Sequence, residues 1–264
     1  MVVSAGLQAG PTIALTETGR AIHVDPTDHR GRRLVEARGD LNPLSKVMWH
    51  HALRLRRWDV VVDAGANYGE MLVDAPLPEA ARVIGFEPNG ALHPYLTRSC
   101  GEAGVPLDLR GEAVSDRAGT ASFAVDGQWS GTSTLLPGGD ADPARWQHSD
   151  VRVTTLDLVL EGAGSWCAKV DVEGAELSVL AGAARAMDPA RPWALMLEVL
   201  HVSPDDLARL AAAYPAYLLD RRTHDLVPVV GGHARLVRTM LRSGWLYPQD
   251  CLLLSPHLVR AGRP

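Results

Sequence analysis

Two carboxylates, Asp63 and Glu87, each close a short apolar run beside glycine-containing turns. The first lies in Val60-Val61-Val62-Asp63-Ala64-Gly65-Ala66-Asn67-Tyr68-Gly69, the second in Gly85-Phe86-Glu87-Pro88. Glycines at 65 and 69 let the backbone turn sharply and approach a ligand closely. A carboxylate at the end of a second strand can accept hydrogen bonds from both hydroxyls of a ribose, which selects a nucleoside. A dinucleotide site wants G-x-G-x-x-G, so that a helix N-terminus meets a pyrophosphate. Here the loop reads Gly65-x-Asn67-x-Gly69. The middle glycine is missing, and Asp63 places a carboxylate where it faces the ligand. That charge suits a ligand carrying an ammonium and a sulfonium better than a pyrophosphate, and so favours S-adenosylmethionine.

A second group of reactive side chains follows at Lys169-Val170-Asp171-Val172-Glu173-Gly174-Ala175-Glu176 and Glu198-Val199-Leu200-His201. Methyl transfer from a sulfonium is an in-line displacement, so the acceptor must be held close and aligned. A hydroxyl acceptor also benefits from a base. Lys169 and Asp171 share one side of a strand. Asp171 is read as a base, as a group that orients one, or as a metal ligand, with a charge partnership to Lys169 or a helix cap as the structural reading. Glu173 and Glu176 stand near a helix start, where acids are favoured on electrostatic grounds alone. His201 titrates near neutrality and is the leading candidate for general base, with Glu198 beside it. Oxygen ligands from Asp171 and Glu198 plus the His201 imidazole also allow a divalent cation.

These residues need a frame that gathers strand ends. Val60–Val62, Arg82–Glu87, Leu107–Arg110 running towards Ala113-Val114, Trp166–Asp171 and Trp193–Val199 read as buried strands. Helical patterns over about 90–103, 174–187 and 204–213 separate them, and a further helix is expected from Pro43 to Arg57. Strands alternating with helices imply an α/β, doubly wound, mostly parallel sheet. Ala216–Leu219, Leu226–Val230 and Asp250–Ser255 read as strands without an intervening helix, which predicts an antiparallel C-terminal edge. Residues 1–55 are expected as a lead-in or small hairpin plus that helix, and residues 56–264 as the cofactor-binding domain. Within it, an insertion at about 119–155, rich in Gly, Ser, Thr, Pro and Asp, reads as a long polar loop over the sheet's carboxyl edge. Its Trp129 and Trp146 either stack on an acceptor or anchor the loop on the core.

The formal charge of −5 disfavours a protein that grips phosphate backbones. Cys100, Cys167 and Cys251 form neither a disulfide framework nor a zinc motif. No signal peptide or membrane span is read, and a reducing cytoplasm fits. Lys46 and Lys169 are the only lysines among 26 basic residues. Where arginine is the default cation, a lysine inside a candidate site points to a need for its compact charge and flexible stem.

The motifs resemble, in order, those of the FkbM family of S-adenosylmethionine-dependent methyltransferases. The resemblance rests on Val62–Gly69, Gly85–Asn89, Glu112-Ala113-Val114-Ser115-Asp116, Thr155-Leu156-Asp157 and, most distinctively, Lys169–Glu176; it extends through Glu198–His201. It implies a class I, Rossmann-like methyltransferase fold that O-methylates a small hydroxylated molecule such as a sugar or natural product, while the charge balance and the lack of a membrane span predict partners that are neither nucleic acid nor membrane. A homo-oligomer is compatible with it. By the resemblance, Asp63, Gly65 and Asn67 surround the methionine part, Glu87 the ribose, and Glu112 with Ala113 the adenine. Ala66, Tyr68, Gly69, Pro88, Val114 and Asp171 complete the expected cofactor contacts. An RNA or protein methyltransferase, a nicotinamide-dependent oxidoreductase and a non-enzymatic nucleoside-binding module are the competing readings.

Overall fold

A computed structural model describes residues 12–135, 145–229 and 233–260. Its elements run, in chain order, β1 (Thr12–Leu15), β2 (Ala21–Val24), α1 (His29–Glu36), α2 (Pro43–Arg54), β3 (Val60–Ala64), α3 (Glu70–Val73), β4 (Arg82–Phe86), α4 (His93–Glu102), β5 (Leu107–Arg110) and β6 (Ala113–Val114). They continue with β7 (Gly119–Asp126), β8 (Trp146–Thr154), α5 (Leu156–Val159), β9 (Trp166–Val170), α6 (Glu176–Ala181), β10 (Trp193–Glu198) and α7 (Pro204–Ala213). β11 (Ala216–Asp220), β12 (Leu226–Pro228), α8 (Ala234–Leu241), β13 (Leu246–Leu254) and α9 (Pro256–Arg260) complete them.

Eight strands form the main sheet in the order β12-β11-β13-β10-β9-β3-β4-β5. β10, β9, β3, β4 and β5 are parallel, and β13, β11 and β12 pair antiparallel, as expected for the C-terminal edge, although α8 (Ala234–Leu241) intervenes between β12 and β13 where no helix is expected from the sequence. Side chains of the central strands alternate between two cores. Val62, Phe86, Val170 and Leu197 enter one with Trp166 and Trp193; Val61, Val83, Cys167 and Met196 enter the other with Met48 and Trp49 of α2. Burial on both faces explains why these strands are apolar without interruption. After β3 the chain proceeds outward through β4 and β5, then returns to lay β9 on the other side of β3. Strand order therefore reverses between β3 and β9, and ligands of open parallel sheets bind beyond the carboxyl ends at such a point.

Several expectations are corrected. The strand expected to lead from Leu107 to Val114 is two strands: β5 edges the main sheet, whereas β6 pairs with β8 in a separate three-stranded sheet. The insertion is not a polar loop. β7 and β8 pair antiparallel from Gly119↔Val153 to Asp126↔Trp146, and Phe123, Val151 and Val153 close a small core with Ala113. Its tip, 136–144, lies outside the described residues, as do 1–11 and Val230 of the expected strand Leu226–Val230. The helix expected over 174–187 is only α6. It ends where Gly182 packs on the Ser115 backbone, and Asp157 Oδ1 accepts the Arg185 and Ala186 N–H groups at 2.9 and 2.7 Å. The lead-in is the β1–β2 hairpin followed by α1, packed through Ile22, Val24 and Leu34 against Tyr68, Val73 and Leu92.

Candidate functional site

A cavity of about 320 Å³ opens at the carboxyl ends of β3, β4, β9 and β10. Its floor is the loop after β3. Gly65 has φ +85, and a Cβ there would lie 1.9 Å from the Asp171 carbonyl oxygen, so only glycine lets the loops after β3 and β9 touch. Asn67 follows with φ 47, a left-handed conformation that Asn tolerates better than most residues.

Glu87 stands at the second strand end and is 5% exposed. Its Oε2 accepts the Asn67 N–H at 2.9 Å and its Oε1 the Asn89 N–H at 2.8 Å. Burial nevertheless pushes its pKa up to about 7. Each carboxylate oxygen can accept a second bond. Next along the wall, Glu112, Ala113 and Val114 meet Phe123 and Leu135, which form an apolar slot with a polar rim. Glu112 is also 3.5 Å from Arg152.

The fourth and fifth strand ends carry the densest charge. Lys169 Nζ lies 3.2 Å from Asp171 Oδ2 and 3.5 Å from Asp63 Oδ1. Burial alone would lower the lysine's pKa, but the two carboxylates outweigh it and hold the ammonium charged. Asp63 is completely buried with Lys169 as its charge partner, neither of its oxygens has a close hydrogen-bond partner among the described residues, and burial raises it to about 6. Asp171 lines the cavity, whereas Asp63 and Lys169 lie behind it. Glu198 is 4% exposed, lines the cavity, and its Oε2 has no hydrogen-bond partner among the described residues. Burial, then the carboxyl groups of Asp171 and Glu173, pushes Glu198 up to about 9.

Other expected residues stand elsewhere. His201 is 48% exposed at its side chain, and its imidazole meets Glu173 Oε2 at 3.3 Å rather than the cavity. Glu176 accepts the Val172 and Gly174 N–H groups at 3.2 and 3.0 Å, which holds the loop after β9. Tyr68 is buried and donates its hydroxyl to Asp28 at 2.7 Å, while Gly69 packs on Leu96 and Cys100. Pro88 lines the cavity, and Ala66 lines a smaller one beside it with Lys169 and Glu70. Trp129 lines the cavity; Trp146 stacks under Arg145 at 5.2 Å. Among the described residues, no group of three or more His, Cys, Asp or Glu is disposed to hold a metal ion, so Asp171, Glu198 and His201 are not gathered as a ligand set.

The residues that sequence reasoning missed come from the N-terminal segment. Asp28 caps α1 and accepts bonds from Tyr68, from the Ser130 hydroxyl at 2.6 Å and from the Ser130 N–H at 3.2 Å. Arg30, in the first turn of α1, donates to Asn67 Oδ1 at 3.0 Å and pairs with Glu70. An Asp before a helical stretch is a legible cap; nothing in the sequence marks Arg30 as buried.

Asp63, Glu87, Glu173, Glu198 and Asp250 all have carboxyl pKa values raised, chiefly by burial, to about 6, 7, 7, 9 and 7. The folded chain therefore binds protons more tightly than the unfolded chain, and this stabilisation is lost as pH rises through the folded values. The melting temperature of the ligand-free protein is expected to fall as pH rises from about 5 to about 9. Circular dichroism melts check this, and a rising trend would contradict it.

A doubly wound sheet with a buried carboxylate and a glycine turn at its reversal point is the arrangement of Rossmann-like nucleoside-cofactor sites. The chain belongs to the FkbM methyltransferase family: the family model described as the methyltransferase FkbM domain matches residues 63–224, more than half of it. It is an S-adenosylmethionine-dependent methyltransferase. No curated protein sequence matches the chain. Similar solved structures include a precorrin-6y C5,15-methyltransferase from Geobacter metallireducens, 12% identical with a TM-score of 0.39, covering 93% of this chain and 100% of that one. A SAM-dependent O-methyltransferase from Thermotoga maritima is 12% identical with a TM-score of 0.43, covering 93% and 78%. A T. thermophilus 16S rRNA N2 G1207 methyltransferase solved with AdoMet and guanosine is 12% identical with a TM-score of 0.45, covering 93% and 45%. At this level they assign neither substrate nor site residues.

Proposed function

We propose that the protein methylates a hydroxyl oxygen of a small molecule, with Glu198 as the group that takes the hydroxyl proton. The observation that carries this reading is the Glu198 carboxyl, buried in the cavity wall beside Asp171, whose Oε2 has no hydrogen-bond partner among the described residues. A buried polar atom without a partner costs about 1–3 kcal/mol, so its persistence at a cavity wall points to a ligand group that completes it.

S-adenosylmethionine, when bound, supplies a methyl group on a positively charged sulfur. The residues present fit it. Glu87 keeps acceptor capacity for two ribose hydroxyls, the slot of Ala113, Val114, Phe123 and Leu135 suits the adenine plane with Glu112 at its edge, and Gly65, Asn67 and Asp171 border the methionine end. Lys169 holds Asp171 in place from behind. Glu198 accepts the acceptor's proton once ionised, and cationic charge in the cavity favours that ionised form. Glu173 and His201 flank the mouth, and His201 reaches the cavity only through Glu173. His201 is therefore a positioning residue, and His201→Ala is expected to lower turnover by less than about tenfold, below the range of a lost general base. A larger loss in steady-state assays would restore it as the base.

The acid-lined cavity and the formal charge of −5 support a small acceptor over a polynucleotide. Transfer of labelled methyl groups into a panel of sugars and natural-product alcohols, run beside total RNA and protein, tests the reading. Label in the small-molecule fraction is expected. Label only in RNA or protein would replace it.

A further inference from the structure

Arg30 belongs to no motif of the catalytic domain, yet it lines the cavity. The side chain is 13% exposed. One Nη donates to Asn67 Oδ1 at 3.0 Å and the other to Glu70. A guanidinium has five N–H donors in one plane, so most of its donor capacity is not taken up by these two bonds. Gly131 lies against it: a Cβ there would sit 2.7 Å from Arg30 Nε, so the absence of a side chain at 131 leaves the arginine in this position undisturbed.

The methionine end of S-adenosylmethionine carries an ammonium and a carboxylate. Around Gly65 and Asn67 the wall is acidic, with Asp171 facing the cavity and Asp63 and Glu70 behind it. That environment suits the ammonium and opposes the carboxylate unless a fixed cation stands nearby. Lys169 is engaged by Asp63 and Asp171 and lies outside this cavity. The cationic lining residues are Arg30 and Arg33. Arg33 is 64% exposed at its side chain and paired with Glu36 at 2.8 Å. Arg30 is buried, preoriented, and bonded to the loop residue that borders the methionine end.

We propose that Arg30, delivered by the N-terminal helix α1, is the anchor for the cofactor's α-carboxylate. The N-terminal segment is then part of the binding site rather than an appendage. Asp28 reinforces this by tying α1 to Tyr68 of the glycine loop and to Ser130 of the cavity-lining segment 129–131.

Calorimetry of the full chain with S-adenosylhomocysteine and with decarboxylated S-adenosylhomocysteine, which keeps the ammonium, isolates the contact. The intact protein is expected to prefer the carboxylate form by about ten- to a hundredfold, the range of a charge-assisted hydrogen bond. Arg30→Gln is expected to reduce that ratio to within about threefold while changing the affinity for the decarboxylated ligand little. Arg30→Lys, which keeps the charge without the fork, is expected to give an intermediate ratio. If Arg30→Gln fails to fold, the double variant Arg30→Gln/Glu70→Gln removes the ion pair together and reads the same ratio. Equal weakening of both ligands would make Arg30 a structural tie and overturn the proposal. So would a ratio near one in the intact protein, or a ratio that survives the substitution.

Discussion

Replacing Glu198 by glutamine is expected to lower turnover by about a hundred- to ten-thousandfold, the range of a lost general base, while S-adenosylhomocysteine binds within about threefold of the parent. Glutamine matches the shape of glutamate but cannot take a proton. Glu198 ends β10 and pairs in register with Asp250 of β13, so its backbone is fixed by strands on two sides. Its pKa of about 9, set by burial and then by the carboxyl groups around it, leaves it mostly protonated at neutral pH in the ligand-free chain. A base works only when ionised. Turnover of the parent is therefore expected to rise with pH across the neutral and mildly alkaline range, and Glu198→Gln is expected to lose that limb. Cationic charge in the cavity moves the limb to lower pH than the ligand-free value. A pH–rate profile with both proteins reads the effect. Undiminished turnover would remove Glu198 from the chemistry, and a parallel loss of binding and turnover would make its role structural.

Glu87→Ala is expected to weaken S-adenosylhomocysteine binding by at least about a hundredfold, because two charge-assisted hydrogen bonds at about 1.5–3 kcal/mol each are lost together. The substitution also leaves the Asn67 and Asn89 N–H groups without their acceptor. The first of these holds the left-handed turn at Asn67, so the methionine end of the cavity loosens with the ribose end. Because the pKa of Glu87 stands at about 7, affinity in the parent is expected to fall below neutrality as the carboxylate loses acceptor strength, and that dependence should vanish in Glu87→Gln. Calorimetry across pH, with circular dichroism as the folding control, measures both. Unchanged affinity in a folded Glu87→Ala would remove the ribose assignment.

Parallel strands announce themselves because each is buried on both faces, and Val60–Val62 and Trp193–Leu197 carry that as uninterrupted apolar runs. The ribbon β7–β8 does not. On β8 the inward residues Val151 and Val153 are separated by the exposed Arg152, but on β7 Phe123 and Ala124 are both buried, so the period of two is broken there and obscured by the Gly, Ser and Thr content of the segment around it. The short α6 illustrates a second difficulty. Helical spacing continues past Ala181, but Asp157, a side chain distant in sequence, takes the Arg185 and Ala186 N–H groups that a continuing helix would use.

What the chain's own order of residues determined was local: the glycine turn at 65–69, the carboxylate that ends the second strand, the 112–114 wall and the Lys169–Glu176 block. Each is a short segment whose backbone needs and side-chain chemistry are written in neighbouring positions. Tertiary structure alone decided which charges face the cavity. It turned His201 outward towards Glu173, placed Lys169 behind Asp171, left Glu198 Oε2 buried without a hydrogen-bond partner among the described residues, and brought Arg30 from a helix 37 residues away onto Asn67. Burial and long-range pairing set those outcomes, and both depend on surfaces contributed by distant parts of the chain, which no local spacing encodes.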